Sequence, residues 1–161
     1  MRYRYWVGIG AGIILGLIFV VAGLGKLLHQ AEAFGIFIYA LPEFLPPALA
    51  KAVLIWLPFI ELAVGLLLII GITAKLMAAF SLALIAGFIA SNSWLLSQGL
   101  GQEPCGCFGI AERLVQIKLL VINALYFDMG MLGLALLILV YYQGDFFNIR
   151  PWFLMRRKSD F

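Results

Sequence analysis

Charge is what this sequence of 161 residues has least of: 12% of them are charged and 65% hydrophobic, and the mean hydropathy is +1.08. That shortage excludes an ordinary soluble globular domain. The polar stretches between the apolar runs are also too short to build a separate soluble domain with its own core. Histidine occurs once, at His29, and cysteine twice, at Cys105 and Cys107. These fall short of a four-ligand structural zinc set, and a C-x-C pair without further cysteines makes neither an iron–sulfur site nor a C-x-x-C-H haem attachment, so no metal is expected. There is no internal repeat and no low-complexity segment.

What is present is apolar sequence in four runs, near residues 6–28, 52–74, 76–97 and 119–142. Each is about 20 residues or longer, enough to cross a hydrocarbon core of about 30 Å as a helix. The expected fold is all-α: an integral membrane four-helix bundle, with residues 1–161 forming a single membrane domain. The first run follows Arg2 and Arg4 and precedes Ala31-Glu32-Ala33, an imitation of a secretion-signal cleavage site. It is longer than a typical signal core, so we read it as a retained span. The stretch between runs one and two, HQAEAFGIFIYALPEFLPPALAK, is apolar but broken by Pro42, Pro46 and Pro47. Proline stops helices, and the stretch predicts a short interfacial or re-entrant helix near 31–40 that lids the outer end of the bundle. Spans two and three meet around Ala74 and Lys75, with a turn of a residue or two between antiparallel helices.

Lysine and arginine set the orientation. With both ends of the chain on one side, that side holds Arg2, Arg4, Lys75, Arg150, Arg156, Arg157 and Lys158, whereas Lys26, Lys51, Arg113 and Lys118 fall on the other. The bias predicts cytoplasmic termini in an inner or plasma membrane and an extracytoplasmic loop over 98–118. The tail over 143–161 interleaves Phe146, Phe147, Trp152 and Phe153 with basic residues. Aromatic rings at headgroup level beside anionic lipid account for it better than a nucleic-acid patch does, so the expected partner is the lipid bilayer and not nucleic acid. Gly8, Gly12 and Gly16 recur every four residues and line one helix face, a ridge that another helix can approach closely. A dinucleotide fingerprint needs a preceding strand and a following acidic residue in a βαβ unit, and neither is there.

Ionisable groups inside a span are costly and are functional candidates by default. Lys26, Glu61 and Asp128 qualify. Glu61 and Asp128 lie about 14 Å inside their spans at a rise of about 1.5 Å per residue. Lys26, near the end of its span, either snorkels outward or turns inward to Glu61, and pairing is the preferred reading, as a structural or proton-linked contact. Asp128 has no basic partner in view, but Asn123 and Tyr126 are near it on the same helix; it is expected to pack helices as a hydrogen-bonded carboxyl or to serve a proton relay. Ser91, Asn92, Ser93 and Trp94 read as interhelical hydrogen-bonding groups and an interface anchor.

EPCGCFG at 103–109 carries both thiols in the outer loop, in a compartment where disulfides form and persist. For a bridge, the two cysteine Cα atoms must come within about 4.4–6.8 Å, and an extended segment sits at or beyond that limit. The chain must bend, and Gly106 permits it; Gly109 adds a second flexible point. A bridge over so short a loop gains little chain entropy, which makes it a poor staple and a reasonable exchange site. If a helix begins near Ile110, its N-terminus favours a thiolate at Cys107, and Glu103 and Glu112 oppose that. Cys105 and Cys107 are the candidate catalytic residues, and which sulfur attacks stays open.

AGLGKL at 22–27, FGIFIYALP at 34–42, PFIELAVGLLLIIG at 58–71 and CGCFG at 105–109 together resemble the methylamine utilisation MauE family, within the DoxX-like four-helix membrane proteins. The resemblance runs from span one to the start of span four, and the C-G-C-F-G loop is its most specific element. It implies a four-helix membrane protein with the family's lysine and glutamate at Lys26 and Glu61, and a role in forming or transferring disulfides during maturation of exported enzymes. By architecture the chain is similar to vitamin K epoxide reductase and to bacterial disulfide-oxidising membrane proteins. It departs from them in having no second cysteine pair. Electrons therefore need another exit: a quinone at the loop, a soluble thioredoxin-like protein or a neighbouring redox subunit.

The expected function is thiol–disulfide exchange by Cys105 and Cys107 at the extracytoplasmic face, in support of exported or membrane redox proteins. The rival is a non-catalytic accessory subunit of a larger membrane complex, electron-transfer or photosynthetic, in which the bridge is inert. The glycine ridge and the aromatic-basic tails speak for it.

Overall fold

The computed structural model describes residues 2–28, 46–107 and 119–142. They form four helices: α1 (Arg2–Leu28), α2 (Pro47–Ile70), α3 (Ala74–Ser97) and α4 (Val121–Tyr141). The stretches Trp6–Leu28, Lys51–Ile70, Ala74–Ser97 and Val121–Tyr141 are each long and apolar enough to cross a membrane. Helices are the form such sequence takes in lipid, because a spanning segment must satisfy its backbone groups internally. The chain is therefore an all-α membrane protein, with four spanning helices among the described residues. Among the described residues the only β-type pairing is an isolated antiparallel bridge between Pro104 and Leu120. The interfacial helix expected near 31–40, His29, Gly109 with the rest of 108–118, and the tail 143–161 lie outside the described residues.

Two boundaries differ from the hydropathy reading. Helix α2 stops at Ile70 because Gly71 takes a left-handed conformation (φ 77°, ψ 18°) and returns its N–H to Leu67 O at 2.9 Å, a helix-ending geometry that suits glycine. The turn is Gly71–Ile72–Thr73, and Ala74 and Lys75 open α3 instead of forming the turn. Ile72 and Thr73 kept the apolar run going and so concealed the stop. At the other end, α4 starts at Val121 because Leu119 and Leu120 belong to the cysteine loop: Leu119 O accepts the Cys105 N–H, and Leu120 is extended.

Helices α1 and α2 pack most closely. A Cβ on Gly16 would stand 2.7 Å from Gly65 O, one on Gly65 2.7 Å from Gly16 O, and one on Gly23 2.8 Å from Pro58 O. The helix backbones touch where side chains are missing, as small residues allow in membranes. Gly8 meets the backbone of Tyr142 in the same way, so the glycine face of α1 serves α2 and the end of α4. Helix α4 also packs on α3, whereas α2 and α3, although consecutive, touch least of the four adjacent pairs. The order around the bundle is thus α2, α1, α4, α3, with a seam between its two outer members. Leu15, Phe19, Ile85 and Ile138 fill the centre and are fully buried. Tyr142 Oη donates to Gly71 O at 3.2 Å, tying the end of α4 to the α2–α3 turn.

Candidate functional site

At the end of the bundle opposite the Gly71 turn, α3 gives way to a compact loop. Leu100 N–H returns to Leu95 O at 3.1 Å and Glu103 N–H to Leu100 O at 3.1 Å. The chain then runs antiparallel to the lead-in of α4: Cys105 N–H donates to Leu119 O at 2.7 Å, and Val121 N–H donates to Glu103 O at 3.0 Å. Ile122 N–H reaches Gly101 O at 3.3 Å. Gly106 adopts φ 65°, in the left-handed region. That bend brings the Cα atoms of Cys105 and Cys107 to 5.2 Å, and the two sulfurs are joined as a disulfide. Both cysteines are half-buried.

Directly beneath the loop sit the ionisable residues. Lys26, in the last turn of α1, donates a hydrogen bond to Glu61 Oε1 on α2; Glu61 is 0% exposed and Lys26 5%. Glu61 Oε2 has no hydrogen-bond partner. The ammonium of Lys26 also lies 4.8 Å from the centre of the Phe88 ring on α3, a cation–π distance. Across the bundle Asn92 Nδ2 of α3 donates to Asp128 Oδ2 of α4 at 2.8 Å. Asn92 Oδ1 stands 3.7 Å from Cys105 Sγ. A disulfide sulfur has no proton to give, but in the dithiol state a Cys105 S–H could donate to that oxygen.

The structure thus brings Lys26 to Glu61, and Asp128 to Asn92 and through it to Cys105. Asn123 and Tyr126, which share a helix with Asp128, are both exposed and turn away from it. The helix N-terminus considered near Ile110 falls outside the described residues. Among the described residues no three histidine, cysteine, aspartate or glutamate side chains converge as a metal site would require.

Asn92 is an interhelical hydrogen-bonding group, as the sequence predicts, but its partner was concealed. A polar amide inside a span was the available signal, but its contact with Asp128 crosses 36 positions of the chain. A second concealed feature is a cavity of about 310 Å³ below the loop, lined by Lys26, Asn92, Asp128 and both cysteines at one end and by apolar side chains such as Phe19, Leu57 and Met131 elsewhere. Its α3 wall includes Ala83, Gly87 and Ser91, small residues one turn apart, beside the seam where α2 and α3 make little contact.

The family model described as Methylamine utilisation protein MauE matches residues 4–141 of this chain. The Methylamine utilization protein MauE of Paracoccus denitrificans is 33% identical over 120 residues, which cover 70% of this chain and 62% of that protein. The chain thus spans less than two thirds of the length of that curated relative. No solved structure matches.

Proposed function

This chain belongs to the MauE family of methylamine utilisation proteins, and from that premise we propose that it is a membrane thiol–disulfide exchange protein whose Cys105–Cys107 pair supplies disulfides to exported or membrane redox proteins. Methylamine utilisation is the process the family name suggests for it. A cysteine thiolate of the client attacks one sulfur of the bridge, forming a mixed disulfide and releasing the other as a thiolate. The client's second thiolate then closes its own bridge and frees Cys105 and Cys107 as a dithiol. Lys26, Glu61 and Asp128 support the site from below, and Gly106 allows the cysteines to meet.

The observation that carries this reading is the redundancy of the bridge as a staple. The loop is already fastened to the start of α4 by the Cys105–Leu119 and Glu103–Val121 backbone hydrogen bonds. A bridge with a sequence separation of 2 restricts the unfolded chain by only about 1.6 kcal/mol in the loop-closure relation. A bond that holds little together is free to be exchanged. The loop lies at the opposite end of the bundle from Arg2 and Lys75, at the starts of α1 and α3, which supports an extracytoplasmic site with cytoplasmic termini. The accessory-subunit reading loses its ridge, because Gly8 and Gly16 already contact this chain's own helices.

Single Cys105→Ser and Cys107→Ser variants, expressed in the native membrane and quenched with acid, test the proposal. One of them is expected to accumulate a mixed disulfide with a client protein, and the double variant none. A bridge that resists alkylation after mild reductant and opens only on denaturation would refute exchange.

A further inference from the structure

Resting on the exchange reading above, we propose that the cavity beneath the loop binds a lipid-soluble quinone, which enters through the α2–α3 seam and reoxidises the cysteine pair from the membrane side. The chain has one cysteine pair only, so electrons taken from a client cannot pass to a second pair and must leave from Cys105 and Cys107 themselves. A client protein occupies the aqueous side of the loop. The side that remains is the cavity, and both cysteines line it.

The shape and chemistry of the cavity narrow the acceptor. Its volume of about 310 Å³ lies at the lower end of small-molecule pockets, about 300–1,000 Å³; one substituted ring fits and a peptide does not. Its walls are apolar, and Val53, Ala83 and Gly87 are exposed along the lipid-facing seam. A ligand arriving there comes dissolved in the bilayer. Beside Cys105 the cavity turns polar. The Lys26 ammonium has several N–H donors, of which Glu61 takes one, and the Asn92 amide has a second N–H beyond the one given to Asp128. Donors at the head of an apolar slot suit a ring carbonyl, next to the sulfurs that must give up electrons.

The reaction balances without another reactant. The S–H bonds of Cys105 and Cys107 break, the S–S bond forms, and the two electrons and two protons released convert the two quinone carbonyls to hydroquinone hydroxyls. The hydroquinone leaves by the same seam.

The test uses the full chain in lipid nanodiscs, reduced with dithiothreitol and desalted. Decylubiquinone is added, and the quinone absorbance and the alkylatable thiols are followed together; water-soluble oxidised glutathione is the second oxidant for the unaltered protein. Saturable oxidation by decylubiquinone is expected, slowed about tenfold or more in Gly87→Phe. Gly87 lines the cavity and a Cβ there meets nothing within 4 Å, so the ring has room at the cavity wall; Ala83→Leu replaces it if the variant does not give the wild-type helical spectrum and elution. Oxidation by glutathione but not by quinone, or a quinone rate that Gly87→Phe leaves unchanged, overturns the cavity site and spares the exchange reading. Thiols that neither oxidant closes overturn both.

Discussion

Replacing Lys26 with methionine should destabilise the protein more than replacing Glu61 with leucine, although each change breaks the same ion pair. Removing one member of a buried pair costs about 3–5 kcal/mol in soluble proteins, chiefly because the other charge is stranded. The two stranded charges differ here. Lys26 is in the last turn of α1 and its stem can carry the ammonium to the headgroups, while the Phe88 ring still offers it a cation–π face. Glu61 sits well inside α2, fully buried, with one carboxylate oxygen already unpartnered. We therefore expect a loss of about 3 kcal/mol for Lys26→Met, towards the lower end of the buried-pair figure because helices separated in a bilayer find other polar partners. Glu61→Leu should cost about 1 kcal/mol, since its partner can snorkel. The double variant should lie within about 1 kcal/mol of the unaltered protein, as apolar replacements of buried pairs commonly do. Steric trapping in bicelles measures all three on one scale. If Glu61→Leu costs as much as Lys26→Met, or if the double variant costs the sum of the singles, the pair is not a coupled buried contact.

Gly16→Leu should force α1 from α2, since its Cβ would lie 2.7 Å from Gly65 O; a loss of about 1–3 kcal/mol is the usual cost of overpacking. Gly10→Leu is the internal control, because a Cβ there meets nothing within 4 Å, and steric trapping of both variants checks the contrast. Asn92→Leu leaves Asp128 without its amide donor and should cost about 0.6 kcal/mol and at most about 1.7 kcal/mol, the average and the maximum found for interhelical hydrogen bonds in a membrane protein. It should also change the alkylation rate of reduced Cys105 relative to Cys107, because the Cys105 sulfur lies 3.7 Å from Asn92 Oδ1; equal shifts at both thiols would argue against that contact.

Hydropathy made the four helices legible, because apolar length is the property the bilayer demands. It placed the α2–α3 turn too late, since Ile72 is as apolar as its helical neighbours and the stop depends on the backbone of Gly71. The Lys26 and Glu61 contact could be anticipated because they are the only charges in the apolar runs 6–28 and 52–74 and have opposite sign. The partner of Asp128 could not: nearness along one helix favoured Asn123 and Tyr126, but helix rotation turns both outward and leaves Asn92, from another helix, facing the carboxylate. The cavity was illegible for a related reason. Ala83, Gly87 and Ser91 are unremarkable in a span, and they bound a space only because α2 stands away from α3.

The weak contact between consecutive α2 and α3 also bears on how the chain is made. A nascent protein that packed each span on its predecessor could finish its core as it emerged. Here α1 and α2 can zip early through Gly16 and Gly65, but the remaining face of α1 must wait for α4, the last helix of the four to be synthesised. Closure of the bundle, and with it the seating of the cysteine loop against the start of α4, is therefore a late, long-range step. Until α4 arrives, the loop has no strand to hydrogen-bond and Asn92 has no carboxylate, so the site comes into being only when insertion is complete.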